Sequence, residues 1–204
     1  MNDINDFNYP EYWDNKYINN EDQWDLNQPT PIFINWSKTL KDKKKILIPG
    51  AGKGHDAIYL AEKGHDVYAV DFSIQATDYI RKAAQNKNVK VNVINKNLFS
   101  LNKYYNFFDI FLEYTFYCAI SPSERSRYIK ESYKLLKDDG QLVGIFLPLN
   151  KNISEGGPPF SVNIAETINK FSKYYKLLEC YKSTNSIKSR VDNEIYVSME
   201  KCIK

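Results

Sequence analysis

The chain has 204 residues, of which 43% are hydrophobic and 26% are charged, with a formal net charge of +3. This length suits one domain with a substantial core, and the composition argues against a disordered chain. No apolar stretch approaches membrane-spanning length, and the small positive charge gives little reason to expect nucleic acid as a partner. The first residues have neither the basic start nor the apolar run of a secretory signal, so we expect a cytoplasmic protein.

Charge and cysteines are unevenly distributed. Residues 1–25 carry seven acidic side chains and one basic side chain, Lys16. An acidic, tryptophan-bearing arm at residues 1–40 therefore precedes a more basic body at residues 41–204, and we expect one structural domain overall. The three cysteines, Cys118, Cys180 and Cys202, are odd in number and scattered, which fits neither a disulfide framework nor a zinc site. We expect reduced thiols and no bound metal. The sequence gives no indication of the oligomeric state.

Apolar runs alternate with helical patterns along the chain, which is typical of an α/β fold. The pattern predicts a single Rossmann-like domain whose seven-stranded sheet is mostly parallel, with helices on both faces and an antiparallel pair at the C-terminus. The fifth strand is apolar on both of its faces, so we expect it to be central. The predicted strands cover residues 45–48, 67–71, 89–94, 108–115, 141–149, 174–182 and 194–201.

Helix boundaries are predicted from capping residues. The first helix of the body covers residues 56–63 and ends at Gly64, and a second runs from a Ser73 cap to about residue 84. Residues 121–124 (SPSE) match a capping box with proline at the first helical position, which predicts a helix to about residue 137. Asp139 and Gly140 are then expected to turn the chain into the fifth strand. A loop at residues 156–159 precedes a last helix at residues 162–171.

The most informative segment is residues 46–54 (ILIPGAGKG), a short strand that breaks into a glycine-rich turn. Together with the second strand ending in Asp71, it predicts the opening βαβ unit of a nucleotide-binding sheet. Dinucleotide folds use Gly-x-Gly-x-x-Gly, but here His55 takes the place of the third glycine. The Gly-x-Gly-x-Gly spacing at residues 50–54 favours S-adenosylmethionine instead. The alternative is an ordinary tight strand-to-helix turn.

Acceptor groups follow the predicted strands at the edge where ligands bind in such sheets. Asp71 ends the second strand, where a carboxylate can accept hydrogen bonds from two ribose hydroxyls. Asn97 follows the third strand and has a side-chain oxygen able to accept a bond from an adenine amino group. The alternative for Asn97 is a plain turn residue.

Three further motifs carry a family resemblance: residues 24–31 (WDLNQPTP), 108–120 (FDIFLEYTFYCAI) and 156–162 (GGPPFSV). Together they resemble the thiol and halide methyltransferases of the thiopurine methyltransferase family, from about Trp13 to Met199. The resemblance implies a class I methyltransferase fold. It also implies methyl transfer from S-adenosylmethionine, with S-adenosylhomocysteine as product, to a small soft nucleophile such as a thiol, hydrosulfide, thiocyanate or halide.

The resemblance also implies which residues contact the cofactor. Trp13 and Tyr17 are four residues apart, so on a helix they share a face, and aromatic faces attract a sulfonium cation. The alternative is that these rings only attach the arm to the domain. Gly52 and Phe72 are added to this set because the glycine turn and the end of the second strand lie at the edge of the sheet where ligands bind. The expected cofactor contacts are therefore Trp13, Tyr17, Trp24, Gly50, Gly52, Asp71, Phe72, Asn97, Leu98 and Tyr114.

The acceptor side is expected after the fourth and fifth strands. A thiol must lose its proton, and the candidate catalytic residues by position are Tyr114, Tyr117 and Glu113, although Glu113 is alternatively a residue that fixes the local backbone. Arg125 either attracts an anionic substrate or is a surface residue of its helix. Leu147 and Phe160 are expected to line the acceptor pocket. Family members often have tyrosine at these two positions. Leu147 and Phe160 lack the tyrosine hydroxyl groups, so this pocket is expected to favour a larger or more hydrophobic thiol.

Two other classes of function stay open. Amino-methylating enzymes for bases have a polar residue followed by Pro-Pro-aromatic after strand four, whereas residues 113–116 here read EYTF. A methyltransferase for a protein, a nucleic acid or another small molecule is therefore one alternative. The other is a cofactor-binding protein without turnover.

Overall fold

A computed structural model describes residues 6–203, so residues 1–5 of the predicted arm lie outside the described range. The chain divides after Ser100 into two compact units. Its strands form a seven-stranded mixed sheet that is mostly parallel, as predicted. The predicted division at residue 40 stays a prediction. Within residues 6–203, no helix is long and apolar enough to cross a membrane.

The first unit contains the three predicted parallel strands. They are β1 (Lys45–Pro49), β2 (Asp66–Asp71) and β3 (Val91–Asn95), in the spatial order β3-β2-β1. In the register, Lys45 lies opposite Asp66, and Val67 lies opposite Val91. The strand β1 is buried almost throughout, as expected of an apolar run in a parallel sheet.

In the described part of this unit, four α-helices accompany these strands: α1 (Pro10–Ile18), α2 (Pro31–Ser37), α3 (His55–Glu62) and α4 (Ile74–Lys87). The Ser73 cap is confirmed, because its Oγ accepts a hydrogen bond of 3.1 Å from the backbone N–H of Ala76. The predicted end of α4 at residue 84 is too early. The helix continues to Lys87 because Asn88 adopts the left-handed conformation, with φ of 53°, that closes a helix.

The second unit contains β4 (Phe108–Tyr114), β5 (Leu136–Phe146), β6 (Tyr175–Tyr181) and β7 (Ile195–Lys201). Their spatial order is β4-β5-β7-β6. The β4 and β5 strands are parallel, while β7 runs antiparallel to both β5 and β6. The predicted C-terminal antiparallel pair and the central place of the fifth strand within this unit are therefore confirmed.

The predicted turn at Asp139 and Gly140 is wrong, because β5 already begins at Leu136. Its register with β4 jumps from Phe108 opposite Leu136 to Ile110 opposite Gln141, so residues 137–140 form a bulge within the strand. Distant residues hold this start of β5 in place. Lys201 Nζ donates a hydrogen bond of 2.7 Å to the Leu136 carbonyl, a contact that no local pattern reveals.

The predicted capping box at residues 121–124 is also wrong. The Ser121 hydroxyl pairs with the Ser123 hydroxyl at 2.8 Å and makes no cap bond. A short 3₁₀ turn (Pro122–Glu124) precedes α5 (Arg125–Leu135), which stops two residues before the predicted end at 137 because β5 begins there. The last helix, α6 (Ile164–Phe171), starts later than predicted, since Asn163 caps it through the Glu166 N–H.

Candidate active site

The glycine turn (residues 50–54) requires its glycines for conformational reasons. Gly50, Gly52 and Gly54 have φ angles of 55°, 54° and 77°, a region that residues with a β-carbon rarely adopt. A β-carbon on Gly54 would also lie 2.6 Å from Cγ1 of Ile80 in α4. The glycine spacing noted in the sequence thus reflects a turn of three left-handed residues rather than a chance pattern.

Asp71 braces this turn from the end of β2. One carboxylate oxygen accepts the Gly52 N–H at 3.0 Å, and the other accepts the Ser73 N–H at 2.9 Å. The side chain is buried, and burial raises its pKa to about 6 against the opposing effect of these N–H groups. Each carboxylate oxygen has a second lone pair, so acceptance of a ribose hydroxyl at Asp71 is chemically possible and stays a prediction.

The ends of β2 and β3 are tied together beside Asp71. The Lys96 N–H donates to the Asp71 carbonyl at 3.0 Å, and the Asn95 side-chain amide donates to the Phe72 carbonyl at 3.0 Å. Two predicted cofactor residues follow, with Asn97 exposed and Leu98 buried. The Asn97 side-chain oxygen accepts the Phe99 N–H at 3.0 Å, as a turn residue does. Its contact with adenine therefore stays a prediction.

Aromatic side chains of the arm lie against the glycine turn. Trp13 and Tyr17 belong to α1, as the four-residue spacing predicts, and both pack edge-on against Trp24, with centroid distances of 5.3 and 5.6 Å. A β-carbon on Gly52 would lie 3.3 Å from the Tyr17 hydroxyl oxygen. Bare glycine backbone beside electron-rich rings suits a sulfonium ligand, so these residues fit S-adenosylmethionine.

In the second unit, Glu113 is a buried carboxylate whose oxygens are already engaged. One oxygen accepts the N–H groups of Phe116 at 3.0 Å and Tyr117 at 2.8 Å, while the other accepts the Tyr128 hydroxyl. Burial raises the pKa of Glu113 to about 7 despite these donors. The arrangement supports the backbone-fixing role of Glu113, and its role in proton removal stays a prediction.

Tyr117 and Arg125 form a buried pair. The Tyr117 ring packs against Phe146 and Phe171, and burial raises the pKa of its hydroxyl, although a bond with Thr167 acts in the opposite direction. The Arg125 guanidinium lies 4.5 Å from the centroid of that ring and is buried, so its interpretation as a surface residue is wrong. Catalysis by Tyr117 and anion attraction by Arg125 stay predictions.

Two connections of the second unit, one after β4 and one after β5, are held together around the predicted acceptor residues. The Phe160 N–H donates to the Cys118 carbonyl at 2.7 Å, and the Val162 N–H donates to the Pro148 carbonyl at 2.9 Å. Arg125 adds a hydrogen bond of 3.0 Å to the Ser161 carbonyl. The structure therefore brings the segments of Leu147 and Phe160, both half-buried, next to the end of β4.

Cys118 is a free, buried cysteine whose Sγ donates to the Thr115 carbonyl. Burial raises the pKa of its thiol to about 12, which disfavours the reactive thiolate form. Cys180 and Cys202 are free as well. Within residues 6–203, no group of three or more His, Cys, Asp or Glu side chains is placed to hold a metal ion.

Arg190 is a functional candidate that sequence reasoning missed. Its guanidinium lies 4.9 Å from the centroid of the Tyr114 ring and donates to the Tyr114 hydroxyl, and its side chain is buried. Burial lowers its pKa, although the nearby Glu194 acts against this shift. Arg190 lies in the polar segment 182–194, which has no hydrophobic periodicity, so no sequence signal singles it out.

Comparison with known proteins agrees with this geometry. A family model described as thiopurine S-methyltransferase matches residues 8–201. A probable thiol methyltransferase 2 from Arabidopsis thaliana is 29% identical over 157 residues, covering 76% of this chain and 68% of the relative. Thiocyanate methyltransferase 1 from the same plant is 29% identical over 145 residues, covering 70% of this chain and 63% of the relative. The chain thus spans about two thirds of these plant proteins.

Solved structures agree on the fold. The 1,6-didemethyltoxoflavin-N1-methyltransferase from Burkholderia thailandensis, solved with bound 1,6-didemethyltoxoflavin and S-adenosylhomocysteine, superposes with a TM-score of 0.76 at 17% identity. The match covers 95% of this chain and 87% of that one, which shows a shared Rossmann-like methyltransferase fold. With the family model matching nearly the whole chain, the protein belongs to the thiopurine S-methyltransferase family and is an S-adenosylmethionine-dependent methyltransferase.

Proposed function

We propose that this protein methylates a small, soft sulfur nucleophile, with apolar thiols preferred over hydrosulfide, thiocyanate or halide. The observation that carries methyl transfer from S-adenosylmethionine is the glycine turn braced by Asp71, with the Tyr17 hydroxyl beside Gly52, in a chain of this family. Bound S-adenosylmethionine supplies an electrophilic methyl group on a sulfonium.

Cofactor binding is assigned to the first unit. Gly50 and Gly52 offer close backbone approach, and the rings of Trp13, Tyr17 and Trp24 offer a cation-binding surface. Asp71 is assigned to the ribose hydroxyls, for which its free lone pairs are suited. Phe72, Asn97 and Leu98 are assigned to the adenine end.

Acceptor binding is assigned to the second unit. Arg190 places a positive charge beside the Tyr114 hydroxyl, which favours the anionic form of a thiol over its neutral form. Leu147 and Phe160 are assigned to the pocket wall, where apolar side chains strip water from the nucleophile and thereby raise its reactivity. Their lack of hydroxyl groups is the reason for preferring apolar thiols.

We assign the reaction to the cytoplasm. This assignment is supported by the three cysteines that are free in the structure, because reducing compartments keep thiols free. The acceptor is a small molecule rather than a nucleic acid, which is supported by the modest net charge of +3.

Headspace gas chromatography on a panel of thiols, sulfide, thiocyanate and iodide tests the proposal. We expect volatile methylated products, formed fastest from the apolar thiols and only with S-adenosylmethionine present. Product formation from iodide alone would contradict the preference for apolar thiols. If no acceptor reacts while the cofactor still binds, the protein methylates a larger molecule or binds the cofactor without turnover.

A further inference from the structure

Ion pairs attach the acidic arm to the glycine turn itself. Lys53 lies between Gly52 and Gly54, and its ammonium nitrogen is 2.6 Å from a carboxylate oxygen of Asp22 and 3.0 Å from one of Asp25. His55, at the start of α3, places Nε2 3.0 Å from the other Asp25 oxygen. The acidic residues of the arm, noted in the sequence, therefore pair here with basic residues of the body.

These ion pairs are shielded from water. The side chains of Asp22 and Asp25 are 10% and 7% exposed, and that of Lys53 is 21% exposed. Burial opposes ionisation of Asp25, yet the adjacent His55 and Lys53 side chains and a hydrogen bond from the Asn27 N–H hold its pKa well below the ordinary value. Breaking a shielded pair leaves a charge without its partner, which is far more costly than breaking an exposed pair.

A second attachment joins the arm to the start of α4. Asp14 in α1 accepts the Ser73 hydroxyl at 2.5 Å and the Gln75 N–H at 3.2 Å, both at the start of α4. Along the chain, Tyr17 and Trp24 lie between this attachment and the carboxylate of Asp25. The segment that carries Tyr17 and Trp24 is therefore attached at both of its ends, and Trp24 is the direct neighbour of Asp25.

We propose that Lys53 is a positioning residue that latches the arm over bound cofactor and thereby sets how slowly the cofactor leaves. The inference rests on the proposed cofactor site. Because the Lys53 backbone is part of the glycine turn and its side chain holds Asp22 and Asp25, the arm cannot lift away without breaking ion pairs to the turn. Lys53 acts through Trp24 and Tyr17 rather than through direct contact with the reacting atoms.

Retention of radiolabelled S-adenosylhomocysteine during a chase with unlabelled compound tests the latch, using the full chain. Lys53→Met removes the central cation, Lys53→Arg keeps it, and Lys16→Met removes the exposed Lys16–Glu21 pair of the same arm as a matched control. We expect Lys53→Met to speed dissociation at least about tenfold and to raise KM for S-adenosylmethionine more than it lowers kcat. Lys53→Arg and Lys16→Met should remain close to the parent protein.

Two further measurements test the latch even if Lys53→Met fails to fold. Asp22→Asn combined with Asp25→Asn removes the arm carboxylates instead, and should speed dissociation to a similar degree. Added salt should speed dissociation from the parent protein only slightly, because ions screen shielded pairs much less than exposed ones. Dissociation from both sets of variants at the parent rate would overturn the latch, whereas failure of the parent protein to retain the label would overturn the proposed cofactor site itself.

Discussion

The guanidinium of Arg190 lies over the ring of Tyr114 and donates a hydrogen bond to its hydroxyl. Tyr114 ends β4 and Arg190 lies 76 positions further along the chain, so folding alone brings them together. The contact orients the tyrosine and places a positive charge beside it. Tyr114, a residue of the predicted site, therefore has a charged partner, Arg190, that the family resemblance did not indicate.

Removing either member of this pair should impair turnover. Arg190→Met and Tyr114→Phe are each expected to lower kcat/KM for a thiol acceptor, because each deletes a hydrogen bond that involves a charged group. A double-mutant cycle in kcat/KM should give a coupling of about 1–3 kcal/mol. Fully additive effects would mean that the two side chains act independently, contrary to the geometry.

Asp71 is expected to be indispensable for cofactor binding. Asp71→Ala removes the acceptor for the Gly52 and Ser73 N–H groups and should weaken S-adenosylmethionine binding by about a hundredfold or more, as measured by calorimetry. Asp71→Asn keeps one acceptor oxygen and should have a smaller effect. Unchanged affinity in Asp71→Ala would show that the turn does not depend on its brace.

The pH dependence of stability should report Glu113. Its pKa is raised from 4.5 to about 7 in the folded protein, so its contribution is fully present below pH 4.5 and is lost as pH rises through 7. Relative to Glu113→Gln, the parent protein should lose on the order of 3 kcal/mol of unfolding free energy across this range. Denaturant unfolding at several pH values checks this, and parallel pH profiles for the two proteins would contradict it.

Two glycines with positive φ offer a matched comparison of strain and packing. A β-carbon on Gly54 would collide with Ile80, whereas one on Gly64 would meet nothing within 4 Å. Gly64→Ala should therefore cost only backbone strain, about 1 kcal/mol, while Gly54→Ala adds about 1–3 kcal/mol of overpacking. Urea unfolding measures both, and equal losses would mean that Ile80 moves aside without cost.

The sequence predicted those features whose causes are local. Ser73 caps α4 and Gly64 follows α3 because the chemistry of single residues sets these boundaries. The start of β5 was predicted too late, and its first residue accepts a hydrogen bond from Lys201, which is 65 positions away in the chain. The capping box is an exception, because the Ser121 hydroxyl pairs with the nearby Ser123 hydroxyl instead of capping the helix.

The candidate site likewise has features that local sequence reveals and features that depend on distant contacts. The glycine turn and Asp71 are visible as spacing, and the structure joins them with a hydrogen bond. Arg190 and the Lys53 ion pairs are contacts between segments far apart in the chain. Neither composition nor periodicity reports such contacts, so they became visible only with the fold.

The most direct test of methyl transfer uses S-adenosylmethionine with a trideuterated methyl group and an aromatic thiol, with mass spectrometry of the products. Methyl transfer to sulfur predicts the thioether carrying the trideuteromethyl group and an equal amount of S-adenosylhomocysteine. Cofactor binding with neither product formed from any thiol would contradict it.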